Sequence, residues 1–255
     1  MFEARDLPSD VTSVRDDHAP DAVVLDASSD FETLPSHELD DIATRADGLT
    51  PTAYDPDWLP EDSPQLLQRL TSGDLVVGMP GDGSVAWTRQ TDPAFVLVKP
   101  RVEGAPESFV DFLVAEALVE LGLDLPEHFL GFFTDTYREF AAAVDADPTA
   151  TYQIAVAVYD AYRGLHTRDV FESWAGEHDR LHDAWRDAGE RLQPRLDDLP
   201  GEVARGTTEF GDAAELACSA VKHDLDVPTP FGALDTVAYR EHGPEYAVKW
   251  AEKLF

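Results

Sequence analysis

The stretch from Asp74 to Val102, DLVVGMPGDGSVAWTRQTDPAFVLVKPRV, constrains the fold more than any other part of the chain. Three runs rich in β-branched residues, Leu75–Met79, Val85–Arg89 and Phe95–Lys99, are separated by PGDG and QTDP. Both spacers are strong turn signals, so the spacing predicts a three-stranded antiparallel meander with PGDG as a hairpin turn. Pro100 closes the third strand, because proline has no N–H to give to a ladder. After Pro106 the pattern changes. Glu107–Leu121 is almost continuously apolar, with Glu107, Asp111, Glu116 and Glu120 on a narrow polar strip. That predicts a deeply packed helix ended by Gly122.

Five further helices follow by periodicity: His128–Val144, Thr151–Leu165, Glu177–Leu192, Phe210–Leu225 and Pro244–Leu254. YQIAVAVY has too few polar residues to face water and is placed centrally. Leu181, Trp185, Ala188 and Leu192 form the apolar stripe of an amphipathic helix. Upstream, residues 1–65 hold seven of the 18 prolines and read mostly as loop, interrupted by a strand at Ala22–Asp26 and a short helix at Ser36–Ala46 capped by Ser36. The expected class is α+β, a small antiparallel β-meander packed against a mostly helical C-terminal half. Residues 1–103 form an acidic, proline-rich part with the sheet and residues 104–255 the helical part, the two making one compact unit.

Charge decides which functions to set aside. There are 51 acidic residues against 19 basic ones, a formal charge of −32, and only four lysines: Lys99, Lys222, Lys249 and Lys253. No polybasic surface for nucleic acid or membrane is visible. No apolar run approaches the roughly 18–20 residues of a membrane span. A hydrophobic fraction of 43% still allows a core. Self-repulsion on this scale is relieved at about 1 M salt, where the Debye length is about 3 Å. The expectation is a halophilic, cytoplasmic protein with an acidic surface. MFEARDLPSD has neither the basic start nor the apolar run of a secretory signal. Cys218 is the single cysteine and reads as a small buried helix residue.

Against this acidic background, Arg89–Arg101 stands out with three cations and one acid, Asp92. Arg89, Lys99 and Arg101 are candidates for an anion site, with arginine offering bidentate contact to phosphate or carboxylate. Across the QTDP turn, Arg89 and Lys99 are expected to lie roughly opposite each other or one position off, which leaves open the side of the sheet each takes. A second polar group, His166, Arg168 and Asp169 in GLHTRDVFESW, falls where Gly164 is expected to end one helix and Thr167 to cap the next. These three are possible accessory residues. His178 and His182 are four apart on a helix, but Arg186 follows on their ridge, and no metal site is expected. No cofactor is expected either. Trp87 is expected to pack on a helix.

The same segment resembles the small lobe of the protein-kinase and aminoglycoside-phosphotransferase family. Gly78, Gly81 and Gly83 stand in the first turn, Lys99 in FVLVK, Glu116 on the next helix, and HTRD (His166–Asp169) further on. The resemblance implies a phosphate loop, a phosphate-binding Lys99 with Glu116 as its partner, and a degraded catalytic loop. The pattern departs from the family in glycine spacing, in Pro100 after Lys99, in Trp174 where an Asn belongs, and in having no Asp-Phe-Gly. VGMPGDGSVAWTRQTDP and AYREHGPEYAVKWAEK are similar to stretches of uncharacterised haloarchaeal proteins, a likeness that implies a source and no activity. The function expected is binding of a partner protein or a small anionic ligand, with neither membrane nor nucleic acid as partner. The alternative is an enzyme acting on a phosphorylated or nucleotide substrate, a degenerate kinase-like phosphotransferase.

Overall fold

A computed structural model describes residues 2–255. In chain order the strands and helices are β1 (Phe2–Ala4), α1 (Ser9–His18), β2 (Val23–Ala27), α2 (Ser36–Arg45), β3 (Gly48–Leu49), α3 (Gln65–Arg69), β4 (Val85–Thr88), β5 (Thr91–Asp92), β6 (Phe95–Val98), α4 (Glu107–Gly122), α5 (Phe129–Phe133), α6 (Tyr137–Ala143), α7 (Pro148–Ser173), α8 (Asp179–Arg205), α9 (Phe210–Ser219) and α10 (Val237–Leu254). The class is α+β with a mostly helical C-terminal half. The chain forms two compact units. The first comprises residues 1–53, 69–127 and 174–184, and the second residues 54–68, 128–173 and 185–255.

The first unit holds a four-stranded sheet in the order β1-β2-β6-β4 and a two-stranded sheet of β3 and β5. The larger sheet is mixed, which corrects the expected antiparallel meander. β4 and β6 pair antiparallel, Val85 opposite Val98, but β6 pairs parallel with β2, Leu25 opposite Leu97. Leu75–Met79 does not join the sheet: it forms no strand and is buried from Val76 to Met79, tied through the bond from Leu34 N–H to the Val77 carbonyl. PGDG is therefore a turn closed on itself rather than a β-hairpin. Met79 N–H donates to the Asp82 carboxylate and Asp82 N–H to the Met79 carbonyl.

Side chains alternate across a strand. Leu25, Ala27, Phe95, Leu97 and Ala86 meet Ile42 of α2, Phe31 and Leu34 in one apolar cluster. Val24, Val96, Val98 and Trp87 face the other way, where α4 packs on β4 and β6. With both faces covered, β6 is buried at all four residues, and its uninterrupted apolar run follows. α1, which proline content had made look like loop, packs on α4 through Val11 and Val14. Gly122 ends α4 as expected, but a Cβ there would lie 2.6 Å from the His18 carbonyl, so its bareness is what lets α1 approach.

The second unit is helical. α7 is its centre, as YQIAVAVY predicted, and it packs against α9 and α10. Gly164 does not stop this helix. A Cβ there would come within 2.8 Å of the Lys222 backbone nitrogen, so the glycine is a notch for the 221–223 turn. Thr167 caps nothing; its hydroxyl bonds back to the Arg163 carbonyl. α10 kinks at Gly243, whose φ of 45° precedes Pro244.

Candidate functional site

The β4–β6 hairpin places Arg89 and Lys99 at its opposite ends. Thr88 lies opposite Phe95, and Lys99 N–H bonds to the Ser84 carbonyl. Five residues of strand, roughly 16 Å at ~3.3 Å each, thus separate the levels of the two cations. The expectation that they lie opposite each other or one position off is corrected by this register.

Arg89 caps a helix. Its Nη2 donates toward the carbonyls of Glu120, Leu121 and Leu123 at the C-terminus of α4, at 3.0–3.2 Å. The Glu120 carbonyl also accepts from Leu123 N–H, whereas Leu121 and Leu123 lie where a helix end leaves carbonyls without internal partners, and a cation there also meets the negative end of the helix dipole. The guanidinium carbon sits 5.1 Å from the Trp87 ring centre, and Trp87 Nε1 donates to Glu120 at 2.7 Å. Trp87 is thus a packing residue on α4. Beside it, Glu127 accepts from Arg89 N–H at 3.0 Å and from Gln90 Nε2 at 2.8 Å, and Gln90 Nε2 also donates to the Val76 carbonyl. Burial pushes the Glu127 carboxyl up to about 7, against the pull of the donors on Arg89, Gln90 and Thr88.

At the other end, alternation aims Lys99 into the same apolar cluster as Leu97. Its side chain is fully buried at 0% exposure, and Nζ has no hydrogen-bond partner among the described residues. Nζ lies 4.9 Å from the centre of the Phe31 ring. Burial holds the amine below its usual pKa, opposed by the charge of Asp82 and further lowered by Arg101, with Glu32 and Asp30 also pulling it up. Glu116, the partner implied by the kinase-like pattern, makes no bond to Nζ.

Arg101 governs what covers this amine. Nε donates to Asp30 at 2.7 Å, and Nη2 donates to Glu32 at 2.9 Å and to the Phe31 carbonyl at 3.1 Å. The hydrogen bond from Arg101 holds Asp30 below its ordinary carboxyl pKa. Gly78 completes the cover: with φ of 76°, it brings its chain so close that a Cβ would stand 2.6 Å from the Glu32 carbonyl.

The accessory residues lie in the second unit, in the C-terminal third of α7. Arg168 pairs with Asp235 at 2.6 Å and Asp224 at 3.3 Å, and Asp169 pairs with Arg240 at 3.0 Å. His166 packs on Tyr162, its Nε2 buried without a partner. Burial lowers its pKa, with Arg240 adding to the effect and Asp169 opposing it. Neighbours on one helix, these three take separate partners.

Cys218 is buried, and burial pushes its thiol well up, out of the nucleophilic range. His178 packs edge-on against Trp174. Among the described residues no group of three or more His, Cys, Asp or Glu is placed to hold a metal, and no helix is long and apolar enough to cross a membrane. Phe31, Asp82 and Glu127 carried no signal as site residues in the sequence, because each acquires its role from a contact made by folding.

These features define an α+β protein with a fully buried lysine amine at a strand end that has no hydrogen-bond partner among the described residues. The chain belongs to a family of unknown function, DUF7089, which it matches over residues 1–255. Neither the curated proteins nor the solved structures hold a chain that matches it.

Proposed function

We propose that the protein binds a small anionic ligand, a phosphate or carboxylate, at Lys99 and Arg101. The observation that carries this reading is the fully buried Lys99 amine without an acceptor. An ammonium in that position costs free energy until a charged acceptor reaches it. Arg101 supplies the route. Asp30 and Glu32, its carboxylate partners, are half exposed. An anion that replaces them on the guanidinium frees the Asp30–Glu32 segment, whose Phe31 ring covers the amine. Arg89, committed to α4, stands outside this site.

Thermal melting with inorganic phosphate, sulfate and citrate at constant ionic strength tests the reading. A melting temperature that rises with one of these anions, and a rise that disappears in Arg101→Ala, is the expected result. An unchanged response in Arg101→Ala overturns it.

The same reading makes this a cytosolic protein of a salt-rich interior, supported by the charge of −32 and the scarcity of lysine. Removing KCl restores repulsion among the acids and lowers the melting temperature. A melting temperature that is flat from about 0.1 to 3 M KCl contradicts it.

A further inference from the structure

Besides its charge, the Lys99 amine is a nucleophile shielded from water. The side chain is fully buried, and Nζ makes no hydrogen bond among the described residues. The Phe31 ring centre is 4.9 Å away, and Phe31 belongs to the apolar cluster of Leu34, Val77 and Leu97. The carboxylates whose charges act on the amine are engaged elsewhere. Asp82 accepts from Met79 N–H, and Asp30 and Glu32 accept from Arg101. With no acceptor to hold the ammonium, burial lowers the pKa and enlarges the neutral share, whose lone pair is able to attack.

Desolvation and a neighbouring cation are the two ways in which a lysine is activated toward carbonyl compounds, and Lys99 has both. The cation is Arg101, whose charge also lowers the Lys99 pKa. The two side chains meet the same short segment. The Phe31 ring lies against the amine, while the Asp30 and Glu32 carboxylates and the Phe31 carbonyl sit on the guanidinium. A carboxylate that takes the place of Asp30 and Glu32 on Arg101 thus loosens Phe31 and carries its own neighbouring carbon toward the amine.

We infer that Lys99 forms a reversible imine with a 2-oxo acid whose carboxylate is held by Arg101. This rests on the anion site proposed above and adds a covalent step to it. The Nζ lone pair attacks the oxo carbon, a C–N bond forms, and the carbonyl π pair moves to oxygen. Both amine protons end on that oxygen, which leaves as water as the C=N bond forms. No oxidant or reductant enters, and water reverses the step. A carboxylate without the oxo group binds Arg101 and goes no further. A ketone without the carboxylate has nothing with which to displace Asp30 and Glu32.

The test incubates the full chain with pyruvate and sodium cyanoborohydride, which reduces an imine to a stable secondary amine, and locates the adduct by peptide mass mapping. Acetone is the comparison without a carboxylate, and the exposed Lys249 and Lys253 are internal references. The expected result is an adduct on Lys99 that forms about tenfold or more faster with pyruvate than with acetone, a preference that Lys249 and Lys253 do not share. Arg101→Ala abolishes the preference, and because it is a ratio within one variant, a loosened cover does not mask it. Should that variant fail to fold, propanoate added to the wild-type protein reads the same contact by slowing labelling at Lys99 and not at Lys253. Labelling of Lys99 no faster than Lys253, an unchanged preference in Arg101→Ala, or no competition by propanoate overturns the proposal. Melting with inorganic phosphate separates it from the reading beneath it. A phosphate-raised melting temperature with Lys99 unlabelled overturns the imine alone, whereas neither response overturns the anion site as well.

Discussion

The two ends of the β4–β6 hairpin carry similar cations in opposite states. At the β4 end, Arg89 is spent on three carbonyls of α4, and its neighbours Trp87 and Gln90 donate to Glu120 and Glu127. At the β6 end, Lys99 is buried more completely and is answered by nothing but an aromatic face. A positive charge next to a buried strand is thus not by itself a site. Arg89 stabilises the fold because the helix end offers it acceptors. Lys99 has the opposite balance, since its desolvation is not offset by any hydrogen bond.

The sharpest way to break the comparison is to remove each cation in turn. Arg89→Met leaves carbonyls at the α4 terminus unanswered and is expected to lower stability by about 2–4 kcal/mol. Urea unfolding measures it, and a loss well under about 1 kcal/mol means that the cap is not stabilising the helix end. Lys99→Met, by contrast, replaces an unpaired buried amine with an apolar chain of similar length. It is expected to raise stability of the ligand-free protein by about 1–3 kcal/mol, by the argument that buried charges replaced by well-packed apolar groups are often stabilising. Loss of stability there would show that the amine has an acceptor.

A smaller effect lies in Glu127. Its folded pKa of about 7 exceeds the ordinary 4.5, so folding favours the protonated acid. The stability this contributes is complete below about pH 4.5 and is lost as pH rises through 7. Glu127→Gln removes that dependence, and melting at pH 5 and pH 8 should show the wild-type protein losing more on the way up than the variant. Identical pH profiles would mean that Glu127 titrates normally.

Much of the first unit was legible because its signals are local. β4 and β6 follow from β-branched runs bounded by turns, and α4 from a run too apolar to be exposed. Leu75–Met79 has the same composition as a strand, and nothing in it states that its backbone will answer Leu34 and Gln90 rather than a neighbouring strand. The parallel partner of β6 was visible as a strand at Ala22–Asp26, but its insertion beside β6 is a non-local choice. α1 escaped because only Val11 and Val14 mark its buried face. Gly122 and Gly164 read as helix stops, whereas what each does is admit another backbone, a role that depends on the approaching segment.

The candidate site was half legible for the same reason. The local excess of cations picked out Lys99 and Arg101. The separation of Arg89 from Lys99 follows from register, and the state of the amine follows from Phe31, which Arg101 holds in place from a distant part of the chain. In α7, HTRD looked like a group because its residues are adjacent, yet on a helix they point to Tyr162, Asp235 and Arg240 in turn.

The scarcity of lysine makes the central claim directly measurable. With four lysines in the chain, the Lys99 amine can be followed by heteronuclear NMR through a pH titration, with and without inorganic phosphate. The expected result is titration below the ordinary 10.5 in the ligand-free protein, moving upward when phosphate is added, because an anion favours the ammonium. A Lys99 amine that titrates at or above 10.5 and does not respond to phosphate would contradict the account.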